Sequence, residues 1–308
     1  MPPASFRTRM ITATFVASVA IGHQSAANTL EDCEDLGTND IFICGIAAEF
    51  GAQAAFLRDA LNSIEGSAGL RRSAKSGSGR EWFGLAVAGG QVTFGNFEGS
   101  SANLIAGADT VVSSSTSLGA MVFLETGSIT APASPTVDRE GVLIGPYFAT
   151  RLPDQSVLNG HLLYGEPDYT VNNVTTSGET VLGALTWSRS ISRQGLDFGP
   201  FVSVAAKRER PDAATEIDAR ILTIGSSFDG EVIPTDSGFR QIFGRLEMDF
   251  GSYSDNLGTD ISYVAPRAVV GGRFAFNNGG ALQALANVSV ASDATTIVAG
   301  QVSYRIDF

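Results

Sequence analysis

Long apolar runs are missing from this 308-residue chain once its first 27 residues are set aside. A membrane-spanning helix needs roughly 20 consecutive apolar residues, so if this protein crosses a membrane it does so with strands. Charged residues make up only 17% of the sequence, and lysine occurs only as Lys75 and Lys207. The net charge of -12, with no basic block, argues against a nucleic-acid partner because nothing replaces the counterions of the phosphates.

Residues that commonly carry catalysis are also scarce. The chain has two histidines, no Gly-x-Ser-x-Gly motif, no metal-spaced His or Cys cluster and no phosphate-binding loop. His23 falls in the leader described below, so a Ser-His-Asp arrangement would depend on His161. A hydrated structural histidine is the simpler interpretation of that residue. We therefore expect no enzymatic activity, no cofactor and no metal site.

Residues 1–27 have the layout of a secretory signal peptide. Arg7 and Arg9 precede an apolar core, and the small residues Ser25-Ala26-Ala27 offer a cleavage site, so we expect the mature chain to begin at Asn28. Such a leader would be exported by the Sec translocon. A retained membrane anchor is the alternative, but the apolar core is too short to span a bilayer.

The only two cysteines, Cys33 and Cys44, lie soon after this cleavage site. Export places them in an oxidising compartment, and they lack the Cys-x-x-Cys spacing of a redox pair or a metal knuckle. A small structural disulfide loop is therefore predicted.

Residues 28–79 form a short N-terminal segment that differs from the rest of the chain. Apolar residues recur there every three or four positions and predict an amphipathic helix from Ile41 to Ile64. A basic, flexible connector, Arg71–Gly79, follows this helix. An isolated helix of this length is marginally stable in water, so it must pack on a partner or inside a cavity.

From residue 80 to residue 308 the sequence alternates apolar and polar residues in about twelve short runs separated by turn residues. In the last run, Val298, Val302 and Tyr304 share one face, while Gln301 and Ser303 share the other. A soluble sandwich is the alternative, but here the apolar face is rich in Ala and Gly, and the polar face carries Arg and Glu at mid-strand. The prediction is an all-β fold, an antiparallel transmembrane β-barrel of about twelve strands, with the amphipathic helix in its lumen.

The polar face of these runs predicts which side chains line the lumen. They could form ion pairs in a hydrated wall, line a polar channel or grip the helix. These residues are Asp109, Glu125, Arg151, His161, Lys207, Arg245, Glu247, Asp249, Arg267, Arg273 and Arg305. Four apolar residues, Met121, Phe123, Leu163 and Phe243, also point inward in this register. We expect these four to form a patch against Phe50, Leu57 and Leu61 of the helix.

The connections between runs differ in length. Residues 154–155 and 277–280 are tight links, whereas residues 165–178, 209–216 and 229–238 read as longer polar links. Short links on one rim and long links on the other are typical of periplasmic turns and extracellular loops. We expect that division here.

Several short motifs occur in a particular order along the barrel region. They are Gly107-Ala108-Asp109 followed by Leu118-Gly119-Ala120, then Leu162-Leu163-Tyr164-Gly165, Gly199-Pro200-Phe201 and Tyr304-Arg305-Ile306-Asp307-Phe308. In this order they resemble the autotransporter β-barrel (translocator) domain of type V secretion. The resemblance implies a twelve-stranded barrel in the outer membrane of a Gram-negative bacterium, with a helix running through the pore. It also identifies Tyr304, Ile306 and Phe308 as a signal for the outer-membrane barrel-assembly machinery.

The resemblance implies a translocator that passes or holds its own N-terminal segment, as a monomer with outer-membrane lipid and the assembly machinery as partners. The family normally carries a long secreted passenger, whereas only residues 28–79 precede the barrel here. We therefore expect a short held segment instead of a large secreted effector. The alternative is a small-solute channel or a structural outer-membrane protein, with residues 28–79 as a periplasmic arm.

Overall fold

The computed structural model describes residues 28–29, residues 50–59 except 52, and residues 79–305 with short gaps. The gaps are 83–84, 95–96, 131–135, 194–195, 213–214, 257, 259, 278–279 and 293–294. The predicted signal peptide, the Cys33–Cys44 disulfide, both ends of the predicted helix, and Ile306 and Phe308 lie outside the described residues. These remain predictions.

The described part of the chain contains one short helix, residues 50–59, and seventeen strands. The strands are β1 (Asn28–Thr29), β2 (Gly79–Trp82), β3 (Leu85–Phe94), β4 (Phe97–Ser113), β5 (Thr116–Thr130), β6 (Val137–Arg151), β7 (Val157–Gly165), β8 (Asp168–Val171), β9 (Val174–Ser188), β10 (Ile191–Arg193), β11 (Leu196–Pro211), β12 (Ile217–Asp229), β13 (Ile233–Thr235), β14 (Gly238–Asp255), β15 (Asp260–Phe276), β16 (Ala281–Ser292) and β17 (Thr295–Arg305). The described helix is too short to cross a membrane.

Twelve of the described strands close a ring. Each of β3, β4, β5, β6, β7, β9, β11, β12, β14, β15, β16 and β17 pairs antiparallel with the next, and β17 pairs with β3. Four short strands extend the ring locally, since β2 pairs with β4, β8 with β6 and β9, β10 with β11, and β13 with β14. The ring confirms the predicted all-β barrel of twelve strands.

The inner and outer faces of the wall differ in chemistry. Along β14, Phe243, Arg245 and Glu247 are buried, whereas Ile242 and Leu246 are 71% and 62% exposed. The same alternation places large apolar side chains on the outside of the other strands, among them Leu118, Leu124, Ile144, Leu162, Leu185, Val204, Ile224, Val270, Val288 and Val302. An apolar outside around a charged inside is typical of a barrel immersed in lipid.

The two ends of the barrel can be distinguished by where the ring of twelve strands begins and ends. We call the lower rim the end at which β3 begins and β17 ends, and the upper rim the opposite end. Aromatic rings cluster at the lower rim, where the Phe274 and Phe276 centroids are 4.7 Å apart and those of Phe276 and Tyr304 are 6.4 Å apart. Aromatic residues favour the boundary between lipid and water.

The predicted division into short and long links is wrong for residues 229–238, whereas residues 165–178 and 209–216 do lie on the upper rim, opposite the tight links. Residues 165–178 are mostly the strands β8 and β9, which turn at Asn172 and Asn173 with φ of 51° and 64°. Two residues with positive φ suit the tight turn of a β-hairpin. The 229–238 link lies on the lower rim together with 154–155 and 277–280. Polar residues indicated loops, but a strand that extends beyond the lipid is polar on both faces as well.

Four inward aromatic rings lie over glycines on the neighbouring strand. In each pair the two residues are direct cross-strand partners, and a Cβ atom on the glycine would come within 2.0 to 2.5 Å of the ring. The pairs are Tyr147 with Gly119, Phe201 with Gly225, Phe243 with Gly271, and Tyr263 with Gly251. Because glycine has no side chain, each ring can lie flat against the wall and leave the centre of the lumen open.

We expect Gly251→Ala to destabilise the barrel by about 1–3 kcal/mol, because the new methyl group displaces the half-buried ring of Tyr263. The added Cβ would lie 2.0 Å from a ring carbon of Tyr263, which stacks on Tyr253 at 5.7 Å. The matched control is Gly272→Ala, whose Cβ would meet its nearest atom at 3.8 Å. The measurement is the temperature at which the folded band is lost in heat-modifiability gels. Equal temperatures for both variants would contradict the prediction.

Candidate functional site

The helix lies inside the ring and is covered on all sides. Except for Ala54, each of its residues whose burial is described is buried, including the polar residues Gln53, Arg58 and Asp59. A helix that packs on one surface keeps its polar face in water. Here the polar face is dehydrated too, so its groups need partners on the barrel wall.

Gln53 joins the helix to a group of four charged residues near β5 and β11. Its Nε2 donates to Glu125 Oε2 at 2.8 Å, and its Oε1 accepts from Lys207 Nζ at 3.0 Å. Arg139 pairs with both Glu125 and Glu209, and Lys207 lies 3.0 Å from Glu209. We call Glu125, Arg139, Lys207 and Glu209 the first network. Its two carboxylates and two cations balance in charge. The neutral amide of Gln53 donates one hydrogen bond to the carboxylate of Glu125 and accepts one from the ammonium group of Lys207.

Arg58 and Asp59 join the helix to a second network, which consists of Arg245, Glu247, Asp249 and Arg267 on β14 and β15. Arg58 Nη2 lies 2.5 Å from Glu247 Oε2, and Asp59 Oδ2 lies 2.6 Å from Arg245 Nη2. Glu247 also approaches Arg245 at 3.0 Å and Arg267 at 3.7 Å. With the helix included, three carboxylates and three cations balance.

Further contacts fix this second network in place. Arg267 pairs with Asp249 at 2.6 Å and donates to the Gly51 backbone oxygen at 3.3 Å. Thr223 donates to Asp249 at 2.6 Å. Buried charges are tolerated when they are paired and hydrogen-bonded in this way.

Two ring contacts of the helix involve residues that we did not predict, Phe56 and Tyr253, and Leu61 lies outside the described residues. Met121, Phe123, Leu163 and Phe243 are all buried. Phe123, however, meets Phe56 at 6.0 Å, and Phe50 meets Tyr253 at 6.5 Å. Phe243 packs with Val269 and Leu285 of the wall and lies under the Arg273 guanidinium at 4.3 Å. A helix enclosed on all sides has no single apolar stripe facing one patch, so the periodicity could not choose its contacts.

The structure buries most of the residues predicted to line the lumen. These are Asp109, Glu125, His161, Lys207, Arg245, Glu247, Asp249 and Arg267. Asp109 accepts a hydrogen bond from Tyr147 at 2.7 Å, and both ring nitrogens of His161 have no hydrogen-bond partner among the described residues.

The other three predicted lumen residues lie near the lower rim. Arg273 is half-buried and pairs with Asp229 at 3.2 Å. Arg151 is exposed, which corrects its predicted place, because it is the last residue of β6 and lies beyond the enclosed part of the lumen. The side chain of Arg305 is outside the described residues.

Sequence reasoning missed Arg139 and Glu209, although both are central to the first network. Each lies in a run of consecutive charges, Asp138-Arg139-Glu140 and Lys207-Arg208-Glu209-Arg210, in which charge does not indicate a face. Counting in steps of two from Lys207 would have placed Glu209 inside.

The described pieces of the N-terminal segment are found at successive depths of the barrel. Asn28 and Thr29 pair with Ile261 and Ser262 at the upper end of β15. Phe50 contacts Tyr253 near the upper end of β14, whereas Asp59 contacts Arg245, eight residues lower on that strand. Gly79 then pairs with Thr110 near the lower end of β4. In chain order the polypeptide is therefore at the upper rim, in the lumen and at the lower rim.

Comparison with known proteins shows likeness in structure only. No protein-family model and no curated protein sequence matches the chain. The β domain of the Bordetella autotransporter BrkA superposes with a TM-score of 0.65 at 16% identity, over 74% of this chain and 100% of that one. The translocator domain of autotransporter NalP from Neisseria meningitidis gives 0.59 at 16% identity, over 85% and 97%.

A third solved structure, the COG4313 outer membrane channel from Pseudomonas putida F1, superposes with a TM-score of 0.52. Its identity is 10%, over 77% of this chain and 97% of that one. At such identities the likeness establishes the fold alone. The chain therefore has the barrel fold of the BrkA and NalP translocator domains, as its motifs predicted.

Proposed function

We propose that this protein is an outer-membrane translocator barrel that holds its own N-terminal segment in the pore, with the start of that segment on the cell exterior. The observation that carries the proposal is the order of the described pieces, from Asn28 at the upper rim through the helix to Gly79 at the lower rim. A periplasmic arm would begin and end on the same side of the barrel. Here Asn28 and Gly79 lie on opposite sides of the barrel.

The surface of the barrel supports a place in the outer membrane. Its exposed apolar side chains form a lipid-facing band, and its charged groups lie inside. The lower rim, where the barrel sequence begins and ends, is then the periplasmic side. The ring closes within one chain, so the proposal is a monomer with lipid, the Sec translocon and the barrel-assembly machinery as its partners.

The contacts inside the barrel favour a function in which the N-terminal segment is held over one in which solutes are conducted freely. Ion pairs and hydrogen bonds link Gln53, Arg58 and Asp59 to three strands of the wall, β5, β11 and β14, so the helix is fixed in depth and rotation. The proposed action requires no bond to be made or broken in a substrate, and the protein acts by binding its own chain.

A small-solute channel is the second candidate, and likeness to the P. putida outer membrane channel favours it. In that case the N-terminal segment would be a removable or peripheral element, and solute would pass beside it. The dense contacts around the helix argue against such a path. The conductance experiment in the Discussion separates the two candidates.

The exposure of the N-terminal segment tests the proposal directly. We expect a protease-cleavable epitope inserted after Leu30 to be removed by protease added to intact cells, because Asn28 and Thr29 lie at the upper rim. The matched control carries the same epitope in the turn at 154–155 on the lower rim, and it should be cut only after the outer membrane is opened. If the epitope after Leu30 were cut only in opened cells, the segment would be a periplasmic arm.

We also expect Phe308→Ser to lower the amount of barrel in the outer membrane several fold. Phe308 closes the lipid-facing row of the last run, where an aromatic ring suits the membrane boundary and where the resemblance places the assembly signal. Val298→Ser is the control, because Val298 is 53% exposed on the outer face of β17. Quantitative immunoblots of purified outer membranes measure the effect. Equal amounts of the two variants would contradict the prediction.

A further inference from the structure

Three neighbouring strands on one side of the barrel carry no charge over nearly their whole length. Residues 281–292 of β16, 295–304 of β17 and 85–94 of β3 contain no Asp, Glu, Lys or Arg. β17 lies between β16 and β3 in the ring. The two networks that hold the helix lie on β5, β6, β11, β14 and β15. The lumen therefore has a charged side and a neutral side.

The neutral side and the adjoining strand β4 contain three buried polar atoms without partners. They are Oδ1 of Asn103, Oγ of Ser289 and Nε2 of Gln301, on side chains that are 4%, 1% and 4% exposed. Among the described residues none of these atoms has a hydrogen-bond partner. Unpaired buried polar atoms are costly, and native interiors retain few of them. Such atoms also occur elsewhere in the described wall, for example on His161 and Thr180, but these three lie on adjoining strands on or next to the side of the lumen that carries no charge.

The positions of the two amides suit an extended polypeptide. Gln301 and Asn103 both pair with residue 88 of β3, so they stand at the same depth, two strands apart. Neighbouring strands are about 4.8 Å apart. A polypeptide that runs over β3 is therefore one strand spacing from β17, which carries Gln301, and one from β4, which carries Asn103. The unpaired donor on Gln301 and the unpaired acceptor on Asn103 match the C=O and N–H groups of any backbone.

The charge of the N-terminal segment explains why such a surface would be neutral. Residues 28–59 include seven acidic residues and one basic residue, a net charge of -6. The buried cations Arg139, Lys207, Arg245 and Arg267 are paired with wall carboxylates, but each could exchange its present partner for one of these acids, and such pairing would slow the moving chain. An uncharged wall of amides and hydroxyls can exchange backbone hydrogen bonds without retaining a charged side chain.

We propose that Asn103, Ser289 and Gln301 form a track for extended polypeptide, along which the N-terminal segment crosses the lumen before the helix is held by the two networks. This inference rests on the proposed function and adds the surface that carries the moving chain. The ligand is polypeptide backbone of any sequence, because the track offers hydrogen bonds and no charge or shaped pocket.

Photo-crosslinking during assembly in cells tests the track. A photoreactive amino acid replaces Gln301 in one variant and Lys207 in another, and the segment carries an epitope next to Asn28. In the folded protein Asn28 lies at the upper rim, so an adduct between position 301 and the epitope captures the chain in passage. We expect that adduct early in a pulse-chase and its loss as the epitope becomes accessible outside. Position 207 should instead give a lasting adduct with the helix, since Lys207 contacts Gln53.

The substitution Gln301→Lys gives a second measurement. It should delay exposure of the epitope several fold, because the acidic segment is attracted to the new cation. Gln301→Ala removes one hydrogen-bonding group of the track without adding a charge, so it should delay exposure less than Gln301→Lys. If the epitope reaches the surface in the unsubstituted protein but position 301 never yields the early adduct, the track is wrong and the proposed function stands. If the epitope never reaches the surface in the unsubstituted protein, the proposed function itself fails.

Discussion

Single-channel conductance in planar bilayers is expected to rise several fold when residues 28–78 are deleted. An empty twelve-stranded barrel encloses a water-filled path, whereas the buried helix and its contacts block the middle of that path in the full protein. The deletion leaves β2 and the whole ring intact, so the comparison isolates the contents of the lumen.

A matched variant distinguishes blockage of the pore by the helix from blockage by any polypeptide that occupies the pore. Residues 50–59 are replaced by a Gly/Ser sequence of equal length, which keeps the connection but removes Gln53, Arg58 and Asp59. This variant should conduct with frequent brief closures and an intermediate mean current, because a flexible linker blocks a pore only part of the time. Equal conductance of the full and deleted proteins would mean that the helix does not close the pore and would favour the channel as the function.

The substitution Glu247→Gln is expected to destabilise the folded protein by about 3–5 kcal/mol, the cost typical of breaking a buried ion-pair network. Glu247 lies at the centre of the second network, where Arg58, Arg245 and Arg267 all approach it. With glutamine in its place, three buried guanidinium groups face only Asp59 and Asp249. The measurement is the temperature at which the folded band disappears in heat-modifiability gels.

The control for Glu247→Gln is Asp218→Asn on the outside of the barrel. Asp218 pairs with Arg208 at 2.7 Å, but these side chains are 28% and 45% exposed, so its loss should cost less than about 1 kcal/mol. The double variant Arg58→Gln with Glu247→Gln restores the charge balance and should recover part of the loss. If Glu247→Gln melts at the same temperature as Asp218→Asn, the network does not stabilise the folded state.

The number of strands and the chemistry of the two faces could be predicted because they depend on local sequence. A period of two assigns side chains to opposite faces whatever the neighbouring strand is, so Val298 and Val302 could be placed outside, and Arg245 and Glu247 inside. A periodicity of 3.6 likewise placed a helix before the barrel, and its middle part is present at residues 50–59.

The contacts inside the lumen could not be predicted because they depend on register between strands and on the depth of the helix. Tyr263 lies over Gly251 only because β14 and β15 pair in one register. Arg139 on β6 reaches Glu209, seventy positions later on β11, across β8 and β9, so the contact depends on how the hairpins between them pair. No local pattern carries that information.

The sequence by itself determined that this chain makes a twelve-stranded barrel with an apolar outside, a charged inside and a helical segment before it, since each of these follows from the spacing of residues along a single strand or helix. The resemblance implied a helix in the pore, but only the tertiary structure decided that its polar residues complete two charge-balanced networks and that the described pieces of the N-terminal segment lie in order from the upper rim to the lower. The physical reason is that these features exist only once β17 pairs with β3 and closes the wall around the segment. Closure brings groups from distant parts of the chain into one dehydrated space, where each charge must find a partner.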